Sequence, residues 1–210
     1  MRKFFRIFTL LILAFSFTSC IEIVEEIKIN TDLSGEYHLY LKHNGLGFLF
    51  NSIGQNIDLS GLDDGLQKLE QQNGISNLKT NINPKKGKFS IQFDFSDDNS
   101  LNRAFYAALG VKKRFYHKNF LKISQSKIKR PNLTPYLVRY TKSQGLLDQL
   151  PDENILDYVK YRYRVISSEN IKHAIPESYL SKKQEYDQLY PLKSLLLHRQ
   201  SSKSIIYLEK

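Results

Sequence analysis

Apolar and polar residues alternate with a period of two in several segments of this 210-residue chain. The clearest segment is 89–95, in which Phe or Ile alternates with polar residues. Since successive side chains of a strand point to opposite faces, this pattern predicts a strand with one buried face. The same reasoning predicts further strands over residues 21–30, 36–43, 75–82, 157–166 and 204–209.

Turn and capping residues connect these strands. The segment 31–35, with Asp32 and Gly35, predicts a hairpin between the first two strands. Ser60 with Asp63 resembles a capping box and begins a helix that ends at Gly74. Two more helices are predicted. Asp97 caps the first, which stops at Gly110, and the second begins at Pro191 and ends at Leu197.

Together these elements predict the α+β class, as a mostly antiparallel sheet of hairpins with a few short helices. Lysine-rich strands are expected at 115–118 and 120–128, and a helix at 146–150, whereas 131–145 fits no single element. A short helix is also expected within 44–61. Without an internal repeat or a low-complexity linker, residues 20–210 are predicted to form one domain.

Composition narrows the class of protein. With 41% hydrophobic and 25% charged residues, the chain is too apolar for a disordered segment and too charged for a polytopic membrane protein. Its one cysteine, Cys20, excludes an intramolecular disulfide framework, a multi-cysteine zinc site and a CxxC redox pair. We predict neither a metal nor a cofactor.

Residues 1–19 have the three parts of a secretory signal peptide: a basic start, an apolar run over 7–17, and the small pair Thr18 and Ser19. As a helix, residues 7–19 would reach roughly 20 Å, less than the roughly 30 Å of a bilayer core. Later apolar runs are shorter than a membrane span, so no transmembrane helix is predicted in the mature chain.

The segment Phe17-Thr18-Ser19-Cys20 resembles the lipobox of bacterial lipoproteins. That resemblance implies a lipoprotein signal peptide over 1–19, cleavage before Cys20, and a diacylglycerol on its sulfur with an acyl chain on its new amino group. Two or three acyl chains exceed the single chain that gives only reversible membrane binding. Because Ile21, and not Asp, follows the cysteine, we expect an outer-membrane location.

The arrangement over Cys20 to Leu41 is similar to a group of uncharacterised envelope lipoproteins, including those with an LppM-like domain. It consists of the acylated cysteine, an acidic strand, an Asp-x-Ser-Gly turn and an aromatic strand. The resemblance implies a cell-envelope protein and transfers no active-site residue.

Charge is distributed unevenly along the mature chain. No acidic residue occurs between Asp98 and Asp148, and basic and aromatic residues alternate inside this gap. We expect a surface for an anionic lipid, an acidic glycan or an acidic envelope protein, with a solvated lysine-rich sheet face as the alternative. Export from the cytoplasm argues against nucleic acid. The candidate residues are Lys112, Lys113, Arg114, Lys118, Lys122, Lys127, Lys129 and Arg130.

No catalytic motif of a hydrolase or nucleotide-binding enzyme occurs in the sequence. Glu36, His38 and Tyr40 share one face of the predicted hairpin and are candidates for an acid/base or metal site, with ordinary surface polarity as the alternative. We therefore predict a membrane-anchored envelope lipoprotein that acts by binding or scaffolding. The alternative is a membrane-tethered hydrolase whose site is assembled from distant residues.

Overall fold

A computed structural model describes residues 21–43, 60–114, 117–143, 145, 153–177 and 183–209. The predicted signal peptide, Cys20, most of the stretch 44–61 and the helix expected at 146–150 lie outside the described residues. Within them the secondary structure consists of ten strands, four helices and two 3-10 turns.

The strands are β1 (Ile21–Ile29), β2 (Gly35–His43), β3 (Ile75–Asn83), β4 (Lys88–Phe95), β5 (Lys122–Ser124), β6 (Lys127–Arg130), β7 (Val159–Ser167), β8 (Ile171–Ile175), β9 (Glu185–Pro191) and β10 (Ser204–Leu208). The helices are α1 (Ser60–Glu70), α2 (Asp98–Ala108), α3 (Thr134–Ser143) and α4 (Leu192–Leu196). The 3-10 turns cover Pro84–Lys86 and Glu153–Tyr158.

The strands form two sheets, and the predicted α+β class is confirmed. The six-stranded sheet has the order β3-β4-β2-β1-β7-β9, and the four-stranded sheet has the order β5-β6-β10-β8. In the described residues every ladder is antiparallel except β1 with β7, which runs from Ile21 beside Val159 to Ile29 beside Ser167. A parallel pair needs a long connection, and here the chain between β1 and β7 contains strands β2 to β6 and helices α1 to α3.

The turn between β1 and β2 forms where the sequence predicts it. The backbone N–H of Asn30 donates to the carbonyl of Ser34 at 2.9 Å, and Asp32 accepts from the Ser34 N–H at 3.0 Å. Gly35 is required for close approach, since a Cβ there would lie 2.0 Å from the Lys28 carbonyl oxygen. A side chain at this position would therefore push the two strands apart beside the Ile29–Gly35 pair.

The main core lies between the inner faces of the two sheets and under α1 and α2. It joins Phe93 of the six-stranded sheet and Leu101 of α2 to Ile128 and Ile206 of the four-stranded sheet. A smaller cluster of Val138, Leu156 and Leu196 packs α3, the second 3-10 turn and α4 together. Alternating burial along β7 puts Val159, Tyr161, Tyr163 and Val165 inside, as the sequence predicts.

Several predicted boundaries in the second half are wrong. Lys118 is not in a strand, and the single strand expected over 120–128 is a hairpin, β5 and β6, with its turn at Gln125 and Ser126. The unassigned stretch 131–145 contains α3, with Pro135 in its first turn. β8 and β9 were not predicted because their patterns mix polar and apolar residues at an edge of each sheet. No helix in the described part of the chain is long and apolar enough to cross a membrane.

Candidate functional site

The predicted basic segment separates into three environments. Lys122, Lys127 and Lys129 lie on the outer face of the four-stranded sheet, and Lys112 and Lys113 line a cleft beside α2. Arg130 is in the interior. Arg114 and Lys118 are exposed in the connecting coil, where Arg114 donates its backbone N–H to His117 at 3.2 Å.

The outer face of the four-stranded sheet carries the largest group of these cations. In the β5–β6 hairpin Lys122 lies directly opposite Lys129 on the outer face. The adjacent pair, Ile123 and Ile128, points inward to the core. The next strand places Tyr207 beside Lys127. Lysines and one aromatic ring thus share a continuous exposed surface.

An aromatic pair continues this surface to the far strand. Tyr207 pairs with His173 of β8, and their rings stack with centroids 4.2 Å apart and an angle of 14° between their planes. Ile175 next to them is 56% exposed. We name this surface the basic sheet face, made of Lys122, Lys127, Lys129, His173, Ile175, Ile205 and Tyr207.

None of the four strands that make this sheet contains an aspartate or glutamate. The lysines of the basic sheet face have no ion-pair partner among the residues that the structure describes. Cations without an ion-pair partner concentrate anions from solution. The stacked rings of His173 and Tyr207 add a flat apolar contact. The surface is therefore suited to an extended anionic ligand.

A second basic feature is a cleft of about 380 Å³ between α1 and α2. Lys112 and Lys113 face Lys68 of α1 and Arg103 of α2 there, and the lining contains no acidic residue. Arg103 is held in place because its Nη2 donates to the carbonyl of Asn73 at 3.1 Å and contacts the Ser100 hydroxyl at 3.0 Å. Four cations around a small concave space suit a compact anion, such as a phosphate group.

Arg130 is a correction to the predicted surface. Only 4% exposed, it points inward with Ile128, the other buried residue of β6. Its Nη2 lies 2.9 Å from the Glu25 carboxylate and donates to the Tyr161 hydroxyl at 2.7 Å. Burial by itself would lower the pKa of Arg130, but the surrounding groups together, Glu25 foremost, raise it above its ordinary value, so the charge is retained.

Tyrosines surround this buried guanidinium group. Its central carbon lies 4.1 Å from the ring centroid of Tyr163, and the Tyr161 hydroxyl also donates to Glu25. Burial raises the pKa of Tyr161 and Tyr163 well above the ordinary tyrosine value, so both hydroxyls stay protonated. The cluster joins β1 and β7 to β6, and its contacts are those of a structural link between the sheets.

Glu36, His38 and Tyr40 do lie on one face of β2, as the alternation predicts. Glu36 accepts from Lys28 at 2.6 Å and from Gln92 at 2.8 Å, while His38 Nε2 lies 2.9 Å from the Ser90 hydroxyl. The hydrogen bond from Lys28 lowers the pKa of Glu36, and burial lowers the pKa of His38. Through these contacts the Glu36 and His38 side chains connect β2 to its neighbours β1 and β4. Among the described residues no three or more His, Cys, Asp or Glu side chains are grouped so that they could hold a metal ion.

Six named residues of these surfaces lie outside the predicted basic segment: Lys68, Arg103, His173, Ile175, Ile205 and Tyr207. They are separated from the basic segment along the chain, and only the packing of α1 on α2 and of β10 between β6 and β8 brings them near it. The one local signal is the absence of acidic residues from the strands that contain His173 and Tyr207.

No model of a known protein family matches this chain, and no curated protein matches it. Among solved structures, the chain is similar to the NMR structure of the folded domain of the LppM protein of Mycobacterium tuberculosis. The two are 13% identical, the match covers 90% of each chain, and the TM-score is 0.41.

Proposed function

We propose that this chain is a lipid-anchored protein of the bacterial cell envelope that binds an anionic ligand at the membrane surface. Cys20 carries the anchor, and an outer-membrane location follows from Ile21 in the next position. The observation that carries the proposal is the start of β1 at Ile21, paired on both sides by β2 and β7. A strand paired on both edges thus directly follows the proposed anchor.

This spacing distinguishes the protein from one that hangs on a long tether. At about 3.3 Å per residue, the link between Ile21 and an acylated Cys20 spans only a few ångströms. The domain is consequently held against the bilayer, where a ligand on or near the membrane is within reach. That geometry favours binding or scaffolding at the surface.

The basic sheet face supports the anionic nature of the ligand. Lys122, Lys127 and Lys129 are exposed on strands without acidic residues. An acidic glycan, an anionic lipid headgroup and an acidic envelope protein share this charge chemistry. Each would be attracted in a manner that falls with ionic strength.

The anchor is tested by replacing Cys20 with Ser in the native bacterium. We expect the parent to separate with the membrane fraction and to carry a diacylglycerol on its N-terminal peptide by mass spectrometry. The Cys20→Ser protein should keep its signal peptide or be released from the membrane. Ser19→Ala is the matched control, since a small residue before the cysteine preserves the lipobox. A Cys20→Ser protein that matures and fractionates like the parent would refute the anchor.

The ligand is tested with the triple variant Lys122→Glu, Lys127→Glu, Lys129→Glu in the lipidated protein. The control reverses Lys79, Lys142 and Lys183, which are exposed outside the four-stranded sheet and change the net charge equally. Crosslinking in the intact envelope, followed by identification of the attached molecules, should lose its product in the first variant only. Whether that product is lipid, glycan or protein identifies the ligand, and equal loss in both variants would contradict a specific surface.

A further inference from the structure

The end of the six-stranded sheet at which β1 begins has its own surface, which we name the β1-entry end. Strand register places Ile21 there, beside His43 at the end of β2 and Val159 at the start of β7. Pro191, which ends β9, pairs with Lys160 in the same region. Any group attached immediately before Ile21 leaves the domain at this end.

An exposed aromatic residue and a small apolar core lie at this end. Tyr158 comes directly before Val159, the register partner of Ile21, and is 55% exposed. The small core of Val138, Leu156 and Leu196 lies here as well, because Leu156 leads into β7 and Leu196 is in α4 directly after β9. The packing of this core fixes α3 against the β1-entry end.

Helix α3 turns only part of its surface toward that core. Val138 and Thr134 are buried, whereas Tyr136, Leu137 and Tyr140 are 43%, 38% and 49% exposed. A tyrosine has an apolar ring and a polar hydroxyl, a combination that partitions to the boundary between hydrocarbon and water. The exposed side of α3 therefore has the composition of an interfacial helix.

Lysines complete the β1-entry end on the other side of Ile21. The turn between β3 and β4 lies at this end because Asn83 pairs with Lys88, and the turn exposes Lys85, Lys86 and Lys88. None of the three has an ion-pair partner in the described ranges.

Two acidic side chains that the structure describes at this end are paired within the fold. Glu22 contacts Arg162 at 3.2 Å, and Asp157 contacts Lys193 at 2.8 Å. The opposite end of the sheet carries Lys183 and several acidic residues, among them Asp32, Asp94, Asp97 and Glu169. The molecule thus has a basic aromatic end at β1 entry and a more acidic opposite end.

We propose that the β1-entry end rests on the headgroups of an anionic bilayer, with Tyr136, Tyr140 and Tyr158 at the interface and Lys85, Lys86 and Lys88 among the phosphates. This inference rests on the proposed anchor at Cys20, which places the bilayer within a few ångströms of Ile21. Its consequence is an orientation: the strands stand away from the membrane, and the basic sheet face is turned sideways to a ligand beside the protein. The bilayer is favoured as occupant because both the anchor position and the charge match it.

The chain contains no tryptophan, so single tryptophans report position without background. We would place the probe at Tyr140→Trp, Tyr158→Trp or, as control, Tyr207→Trp on the basic sheet face. Each full-length lipidated protein is reconstituted into vesicles of phosphatidylcholine and phosphatidylglycerol with brominated acyl chains. Quenching should be at least about threefold greater at 140 and 158 than at 207. Equal quenching at all three sites, or greater quenching at 207, would overturn the orientation.

A charge variant tests the lysines separately. Lys85→Glu, Lys86→Glu, Lys88→Glu should lower quenching at position 140 by at least about threefold on phosphatidylglycerol-containing vesicles, because each lysine near an anionic surface contributes attraction. Lys79→Glu, Lys172→Glu, Lys183→Glu, at exposed positions away from the β1-entry end, makes the same change of charge and should leave that quenching unaltered. An identical response of the two variants would refute the assignment.

Mass spectrometry of the N-terminal peptide is measured on the same samples. Absence of the diacylglycerol at Cys20 refutes the proposed anchor, and the orientation inference with it. A lipidated protein with unquenched probes at 140 and 158 refutes the orientation alone.

Discussion

The Glu25 carboxylate and the Arg130 guanidinium meet 2.9 Å apart in the interior, where they join the first strand of one sheet to the other sheet. The Tyr161 hydroxyl bridges them, since it accepts from Arg130 at 2.7 Å and donates to Glu25. Glu25 is 8% exposed and Arg130 is 4% exposed. A charge pair so far from water depends on both partners for its stability.

Replacing Arg130 with Met should therefore destabilise the protein strongly. The substitution fills similar volume but leaves the Glu25 carboxylate buried without its cation. Breaking a buried pair from one side costs about 3–5 kcal/mol of unfolding free energy. Urea denaturation of the mature chain, followed by circular dichroism, measures this loss.

Two further variants separate the lost pair from the lost side chain. Lys129→Met removes a charge from the neighbouring, exposed position of the same strand and should change the unfolding free energy by less than about 0.5 kcal/mol. The double variant Glu25→Leu, Arg130→Met should recover much of the stability lost in the single variant, because no charge is left uncompensated. A double variant less stable than Arg130→Met would contradict the interpretation.

The sequence contained a signal for this pair. Glu25 is in the apolar phase of the first strand with Ile21, Ile23 and Ile27, and Arg130 follows Ile128 at the same spacing. A charged residue at a position where the alternation predicts a buried apolar one has two possible environments. Either the strand is irregular there and the side chain is exposed, or the side chain is buried with a partner of opposite charge. The sequence alone does not show which partner is near, since 105 positions separate the two residues. From the sequence alone, Arg130 therefore belongs with its lysine neighbours.

Local pattern predicted the elements, and long-range packing determined the rest. The β1–β2 hairpin, α1, α2 and β4 follow from alternation, capping and turn residues within a few positions. The parallel pairing of β1 with β7 and the separate four-stranded sheet depend on which distant surfaces exclude water best. The uneven distribution of charge along the sequence nevertheless points to Lys122, Lys127 and Lys129 as candidates for a basic surface. The net charge of a segment can be counted without knowing the fold.

Gly35→Ala should destabilise the protein because the new methyl group would lie 2.0 Å from the Lys28 carbonyl oxygen and 2.5 Å from the Phe95 ring. The Lys28 backbone would lie on one side of this methyl group and the buried Phe95 ring on the other. The methyl group therefore could not move away from both. We expect a loss of about 1–3 kcal/mol or more from overpacking, measured by thermal or urea unfolding.

Gly110→Ala provides the comparison for that variant. Gly110 has a φ of 70° but nothing within 4 Å of a built Cβ, so only backbone strain of about 1–2 kcal/mol is expected. If Gly35→Ala proves as stable as the parent, the close approach of β1 and β2 at this position is wrong.

Asp97 caps helix α2 and should make part of the stability pH-dependent. Its carboxylate accepts from the Ser100 N–H at 2.6 Å, and this hydrogen bond holds the pKa of Asp97 below its ordinary value of 3.8. Because the folded pKa is the lower one, the contribution is fully present above the unfolded pKa and is lost as pH falls through the folded pKa. Acid unfolding should therefore include a component from this group below about pH 4.

Asparagine caps a helix about as well as aspartate but does not titrate in this range. Asp97→Asn should match the parent at pH 7 and lose less stability on acidification, whereas Asp97→Ala should cost about 1 kcal/mol at pH 7. Urea midpoints measured from pH 7 down to the acid range test both expectations. Parallel pH profiles for the parent and Asp97→Asn would exclude the cap as a source of acid sensitivity.

Lys122 and Lys129 stand opposite each other across the β5–β6 hairpin, so two like charges face one another on the exposed side. Like charges in directly opposed positions destabilise a sheet, and opposite charges contribute roughly 0.2–1 kcal/mol. Lys122→Glu should accordingly raise the unfolding free energy by an amount that decreases as salt is added. The same variant should weaken crosslinking to the anionic ligand, because it replaces attraction with repulsion on the edge strand of the basic sheet face. If the lysines bind a ligand, Lys122→Glu should raise the unfolding free energy and reduce crosslinking. If the face is only solvated, the variant should raise the unfolding free energy and leave crosslinking unchanged.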